Sequence, residues 1–191
     1  MIENMVSMRA TFRIMLQQND FEIKEIKNKL KENPCHIYMI CQRPRISFKP
    51  NSIKITKNNI TGSFLIDKGD KKYEHYFEVS NHKHLNVTDY SLKNPFTYIK
   101  FYNEAGKVVS ESKAALLYTR FFEKYNNCLD LEILYIGQAF GQDGNRLASE
   151  RLQSHSTLQK IYSDTLSNNF DKEVWLLLWS FEPYFISMMG A

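Results

Sequence analysis

The chain has 191 residues, of which 43% are hydrophobic and 24% charged, and its net charge is +4. This balance predicts an ordinary globular protein with one good core or two small domains, and it permits a nucleic-acid partner without requiring one. No apolar run approaches the roughly 18 residues of a membrane span, and the N-terminus lacks a secretory signal, so we expect a cytoplasmic protein with no membrane partner. Three cysteines without a CxxC pair fit a reducing compartment better than a disulfide scaffold.

The first part of the chain is predicted to be helical. Apolar residues recur at three- and four-residue steps between Met5 and Leu16, which is the spacing of an amphipathic helix. Asn19-Asp20 separates this segment from a second predicted helix, residues 21–32, which is rich in charge. We interpret that charge as a solvated helix face in preference to a DNA-binding surface. Pro34 ends the helix, because proline disfavours helical geometry in the residue before it.

A series of short strands follows and predicts an antiparallel meander. The predicted strands are residues 36–40, 45–49, 52–56, 60–66, 73–79 and 96–102. Asp67 to Asp70 is a hairpin signal between two of them. The polar segment 81–94 carries His82 and His84, which would bind a metal only with further ligands from elsewhere, and we prefer a solvent-exposed loop. We place a domain boundary there, which gives domains 1–94 and 95–191.

The second half of the chain predicts helix, strand, loop, helix and strand in that order. An amphipathic helix is expected at 112–125, a short strand at 131–136, and a long helix from about residue 145. The nearly continuous apolar run 173–181 suits a central strand covered on both faces. The predicted fold class is therefore α+β, with N-terminal helices and an antiparallel meander followed by a smaller mixed α/β domain.

One stretch in this second half resembles the GIY-YIG nuclease family. Its matching residues are Tyr135-Ile136-Gly137, followed after a loop by Arg151 and, one helical turn later, His155. The resemblance implies a DNA endonuclease in which Tyr135 or His155 assists the attacking water and Arg151 stabilises the phosphate. It also implies Mg²⁺ or another divalent cation as cofactor, and DNA as partner. Arginine suits its role because its planar, permanent charge can contact two phosphate oxygens. Gly137 allows a sharp turn or the close passage of a neighbour.

Three features depart from the family pattern. The family's first tyrosine strand is expected shortly before YIG, and the nearest strand-like candidate is Tyr98, which we predict on the partner strand of Tyr135. The loop before the helix is longer than usual and includes Asp143. The metal-binding glutamate has no counterpart, since Glu173 and Glu182 flank the last strand without the expected context. The metal ligand is therefore unassigned, and we expect either a truncated chain or the loss of metal-dependent catalysis.

Two further hypotheses compete with the endonuclease. The first is a catalytically inactive module that keeps the nuclease-like fold and binds nucleic acid or protein. The second is a structural or interaction protein in which YIG is a coincidence, Tyr135 is an ordinary strand residue, Arg151 pairs with an acid such as Asp143, and His155 packs between helices. Lysines on the strands of the first domain could contact phosphates, although a wet sheet face explains them as well.

Overall fold

The computed structural model describes residues 2–122, 128–139, 147–153, 156–169 and 171–189. Over these residues the chain forms an α+β fold with antiparallel sheets, which confirms the predicted class. The strands are β1 (Ile2–Leu16), β2 (Ile37–Phe48), β3 (Lys54–Ile55), β4 (Asn59–Lys68), β5 (Lys71–Ser80), β6 (Val87–Leu92), β7 (Tyr98–Asn103), β8 (Val108–Lys113), β9 (Glu132–Gln138) and β10 (Lys172–Met189). The helices are a 3-10 helix (Gln18–Glu22), α1 (Lys24–Glu32), α2 (Ala114–Phe122), α3 (Ala148–Gln153) and α4 (Ser156–Asn168). In these described ranges, no helix is long and apolar enough to cross a membrane.

The N-terminal segment corrects one prediction. Residues 2–16 were predicted to form the first of two helices, but they form strand β1. This strand pairs antiparallel with β10. Phe12, Ile14 and Leu16 alternate toward the core, whereas Met8, which supported the helical spacing, is exposed. Pairing with a long apolar partner strand outweighs a helical pattern built largely from methionines. The second predicted helix is confirmed as α1.

The chain folds as two compact units. Unit 1 comprises residues 1–42, 131–168 and 174–191, and unit 2 comprises residues 43–130 and 169–173. This division differs from the predicted boundary after residue 94, because the chain leaves unit 1 in the middle of β2 and returns to it just before β9. Strand β2 belongs to unit 1 as far as Gln42 and to unit 2 from Arg43 onward.

Unit 1 is a sheet with helices packed against it. Its strand order is β1-β10-β2-β9, so β10 occupies the central position that its apolar sequence predicts. Helices α1, α3 and α4 each contribute buried residues to the core. These helices cover the apolar face of the sheet. The buried side chains are Leu16, Phe21, Leu30, Cys35, Tyr38, Ile40, Ala139, Ala148, Leu152, Leu158, Val174, Leu176 and Leu178.

Unit 2 is built from local strand pairs. β4 pairs with β3, with β5 and with the second half of β2, while β6, β7 and β8 form a separate three-stranded sheet. The predicted hairpin is confirmed, since Lys68 pairs with Lys71 and Gly69 adopts the positive φ of 65° that favours glycine. The core is aromatic. The ring centroids of Phe64 and Phe77 lie 4.8 Å apart, and Tyr118 meets Phe64 edge-on at 5.3 Å.

An ion pair lies within unit 2. The Arg43 Nε donates to Glu173 Oε1 at 3.0 Å, and the two side chains are only 2% and 8% exposed. A charge buried to this extent requires a partner, because its desolvation costs several kcal/mol. The pair therefore joins β2 to the short segment 169–173, which precedes the unit 1 part of β10.

Candidate functional site

The YIG strand has a different partner from the predicted one. β9 pairs antiparallel with the first half of β2, where Gly137 lies opposite Tyr38 and Tyr135 lies opposite Ile40. Tyr98 does lie on a strand, β7, but that strand pairs with β6 and β8 in unit 2. The tyrosine that accompanies Tyr135 is therefore Tyr38, and the prediction for Tyr98 is corrected.

The two tyrosines lie on the same face of the ladder. Side chains two residues apart point to the same side of a strand, so Tyr38 projects over Gly137 and beside Tyr135. The two ring centroids are 6.1 Å apart with an interplanar angle of 30°. Tyr38 is fully buried, whereas Tyr135 is half-buried.

Glycine at position 137 is required by this close approach. A Cβ there would collide with the Cζ and Oη atoms of Tyr38 and would lie 2.7 Å from Cε1 of Tyr135. Real Cβ atoms essentially never approach other atoms so closely, and both rings would have to move. The sequence offered two reasons for this glycine, a turn or a close neighbour, and the close neighbour is the one observed.

Helix α3 brings Arg151 to the tyrosines. The amide of Ala148 donates to the carbonyl of Cys35 at 2.8 Å, and the side chains of Ala148 and Leu152 are buried in the core. These contacts fix the start of α3 beside the start of β2. Arg151 is adjacent to Leu152, and its Nε donates to the Oη of Tyr38 at 3.2 Å.

The electrostatics of this group favour a neutral phenol beside a cation. Burial raises the pKa of Tyr38, and hydrogen bonding and charge from Arg151 oppose that rise. The hydrogen bond to Tyr38 is the main cause of a raised pKa for Arg151, which stays charged. Tyr38 can therefore accept from the guanidinium and hold it in place. Arg151 is half-buried, and its guanidinium is held by the hydrogen bond to Tyr38. A guanidinium held in this way is suited to contact an anion.

His36 anchors the other end of the ladder. Its Nδ1 lies 3.1 Å from the carbonyl oxygen of Ala139, and the amide of Ala139 donates to the carbonyl of His36 at 2.7 Å. These contacts hold the end of β9 against β2 where the predicted loop begins. The predicted site residue His155 and the acid Asp143 lie outside the described residues.

The resemblance implies a divalent metal, and the described residues do not fit one. In the described part of the chain, no group of three or more His, Cys, Asp or Glu side chains is arranged to hold a metal ion. The two glutamates predicted to flank the last strand lie within β10 and have other contacts: Glu173 pairs with Arg43, and Glu182 lies 3.8 Å from Arg9. Glu150, next to Arg151, accepts from the amide of Leu147 at 3.2 Å. We therefore derive no chemical step through a metal.

No protein-family model, no curated protein and no solved structure matches this chain. The interpretation of the site consequently depends on its own geometry. That geometry brings together two of the residues that the sequence singled out, Tyr135 and Arg151, and adds Tyr38. The sequence did carry a signal for Tyr38, the Ile37-Tyr38 pair in the short apolar strand at 36–40, but residues 43–130 separate that strand from β9.

Proposed function

We propose that Tyr38, Tyr135 and Arg151 form a nuclease-type site that binds and hydrolyses a DNA phosphodiester. The observation that carries this proposal is the convergence of the three side chains: two tyrosines from paired strands and an arginine from the following helix, joined by the 3.2 Å contact from Arg151 to Tyr38. Ile37 and Tyr38 supply the tyrosine strand that the GIY-YIG resemblance implies, with His36 in the place of its glycine.

The three residues have different roles in this proposal. Arg151 binds a phosphate oxygen and stabilises the negative charge that develops on phosphorus. Tyr38, which is 0% exposed, is a positioning residue that orients the arginine and touches no substrate. Tyr135 is half-buried and is the tyrosine able to reach the attacking water or a phosphate oxygen. His155 stays a candidate on the resemblance alone.

The proposed cofactor is Mg²⁺ or another divalent cation, which in the resembled family serves the leaving group. Residues of the described chain do not assemble such a site, so the ion enters the proposal only as a condition of the assay. A cytoplasmic setting belongs to the same proposal, since Cys35, Cys41 and Cys128 are free and buried.

The test is nicking of supercoiled plasmid DNA with Mg²⁺ or Mn²⁺. We expect Arg151→Ala to lower the cleavage rate by about 10²- to 10³-fold, the range for removing one preorganised donor to a developing anion. Tyr38→Phe keeps the buried ring but removes the acceptor, and we expect a smaller loss that appears in kcat. The matched control is Arg120→Ala, an exposed arginine on α2, which should cleave as the unaltered protein does. Cleavage that is unaffected by Arg151→Ala would refute the site.

A second candidate function is a binding module that engages DNA without cutting it. The donor set of the described residues favours this alternative, since it contains no cluster arranged for a metal. Salt-sensitive binding of duplex DNA that Arg151→Ala weakens, with no nicking under either metal, would support the module over the enzyme.

A further inference from the structure

Strand β7 of unit 2 has one buried face and one outward face. Ile99 is fully buried and Phe101 is 7% exposed, so both point into unit 2. Tyr98, Lys100 and Tyr102 alternate with them and therefore share the opposite face. On that face Tyr98 is 40% exposed and the Lys100 side chain is 42% exposed.

A pocket of about 380 Å³ lies along this outward face. Its lining includes Tyr98, Lys100 and Tyr102 of β7 together with Ser91 and Lys93. Among the described residues that line it, both charged side chains are lysines. The pocket therefore offers two lysine side chains and is bordered by two tyrosine rings.

Contacts on the sheet hold this face in order. The Lys100 Nζ lies 3.4 Å from Glu111 on β8 and 5.9 Å from the centroid of the Tyr98 ring. Hydrogen bonding from Tyr98, followed by Lys100, lowers the pKa of Glu111, which stays ionised. Glu111 thus contacts both the lysine and the tyrosine of this face.

Two tyrosines on one sheet face with lysines between and beside them match the needs of a particular ligand. Tyr98 and Tyr102 are separated by four residues, or about 13 Å along a strand. Bases stack on aromatic rings only when their faces are accessible, as in a single strand, and a basic groove attracts the phosphates. A duplex hides its base faces and would use the lysines alone.

We propose that the outward face of β7 binds single-stranded nucleic acid, with Tyr98 and Tyr102 stacking on bases and Lys93 and Lys100 contacting phosphates. This surface lies in unit 2 and does not depend on the cleavage proposed for unit 1. It gives the inserted unit a function of its own, namely capture of a strand whose bases are unpaired.

The experiment measures the affinity of the 191-residue chain for a short fluorescein-labelled oligothymidylate by anisotropy, over a range of salt. Tyr98→Ala should weaken binding by about 5- to 150-fold, the range for loss of one stacked base. Tyr98→Phe keeps the ring and should bind nearly as the unaltered protein does. Lys93→Ala and Lys100→Ala should each reduce the slope of log affinity against log salt by about 0.7.

The matched control is Tyr76→Ala on β5, because Tyr76 is also an exposed strand tyrosine of unit 2, at 60%. Unchanged binding by Tyr98→Ala, or an equal loss in Tyr76→Ala, would overturn the proposal. Competition by heparin, a polyanion without bases, combined with no effect of Tyr98→Ala would do the same. If Tyr98→Ala does not fold, the salt slope of Lys93→Ala, an exposed loop position, decides the matter.

Failure of this proposal and failure of the cleavage proposal give different results. The effect of Tyr98→Ala on oligothymidylate binding must persist in the Arg151→Ala protein if the two sites are independent. If Tyr98→Ala nicks DNA normally and its oligothymidylate binding is unchanged, only the proposed binding site on β7 is refuted.

Discussion

The two units solve the problem of burying polar groups in different ways. Unit 1, assembled from three segments of the chain, keeps its buried phenol at Tyr38 satisfied by a half-buried arginine that faces outward. Unit 2, which is nearly one continuous segment, encloses both partners of the Arg43–Glu173 pair. The arrangement in unit 1 leaves a cation able to meet a ligand. The arrangement in unit 2 instead pairs the arginine with a carboxylate in the interior of the unit.

The largest expected effect tests this difference in unit 2. Arg43→Met leaves the Glu173 carboxylate buried beside an apolar chain and should lower the free energy of unfolding of unit 2 by about 3–5 kcal/mol. Both tryptophans, Trp175 and Trp179, lie in unit 1, so their fluorescence reports on that unit. Hydrogen exchange of the β4 amides reports on unit 2.

We expect Arg43→Met to lower the urea midpoint measured by hydrogen exchange of the β4 amides more than the midpoint measured by tryptophan fluorescence. Replacing both members of the pair, by Arg43→Met with Glu173→Leu, should restore much of the lost stability because no buried charge is left alone. An equal loss in both signals would contradict the division into two units.

A smaller effect is expected from a pair of strand glycines, one in each unit. Gly137→Ala drives a Cβ into the rings of Tyr38 and Tyr135, while at Gly62 a Cβ would lie 2.5 Å from Ile53 Cδ1 and 2.9 Å from Phe77 Cζ. Overpacking of this kind costs about 1–3 kcal/mol. Both substitutions should destabilise their own unit, and only Gly137→Ala should also reduce phosphodiester cleavage. Thermal unfolding and plasmid nicking measured on the same samples check this, and reduced nicking by Gly62→Ala would argue against it.

The third prediction concerns alkaline pH and unit 1. Burial raises the pKa of Tyr162 from 10.0 to about 12 in the folded chain. The folded state therefore favours the neutral phenol, so this stabilisation is complete below pH 10 and is lost as the pH rises through about 12. Tyr38, whose pKa is also raised by burial, acts in the same direction.

Urea midpoints followed by tryptophan fluorescence should accordingly fall across this window. Tyr162→Phe should make the fall shallower, and Tyr76→Phe, at an exposed position of unit 2, should leave it unchanged. A midpoint that is independent of pH up to 12 would contradict the assignment.

The smallest effect is expected at the surface of unit 2. Lys49 Nζ lies 2.7 Å from Glu74 Oε2, but both side chains are nearly half exposed, at 46% and 44%. Water and salt screen such a pair, so Lys49→Met should change the urea midpoint little, and high salt should remove what change there is. This variant is the control for Arg43→Met, since both replace a cation in an ion pair by methionine. A large loss here would mean that exposure does not distinguish the two pairs.

Local patterns predicted β3, β4, β5, β7 and α2 of unit 2, where strands pair with their neighbours in sequence. They missed β6, which lies in the segment 81–94 predicted as a solvent-exposed loop, and they missed β8. The hairpin at Asp67 to Asp70 and helix α2 were found from turn residues and apolar spacing alone. In unit 1 the same methods found β9, the central position of β10 and the helical Arg151. They failed at β1, where methionine spacing imitated a helix, although Phe12, Ile14 and Leu16 already showed the two-residue period.

The site itself was half predictable. Tyr135, Gly137 and Arg151 are close in sequence, so a motif could join them. Tyr38 was missed because strand pairing depends on which edges meet in space, and the partner of β9 lies on the other side of residues 43–130. Tyr98 was chosen in its place because it was the nearest strand-like tyrosine upstream. His155 stays a prediction.

The ladder between β2 and β9 has a kinetic consequence. Gln42 and Glu132 face each other in it, joined at 2.8 Å, so the ladder closes a loop that contains almost all of unit 2. Closing so long a loop from a disordered chain is slow, whereas a unit of local contacts forms early. Unit 2 should therefore fold first. Once it is folded, a shorter disordered loop remains to be closed when Tyr38 pairs with the strand of Tyr135. Weakening unit 2 through Arg43→Met should then slow the recovery of tryptophan fluorescence on refolding, even though no tryptophan lies in unit 2.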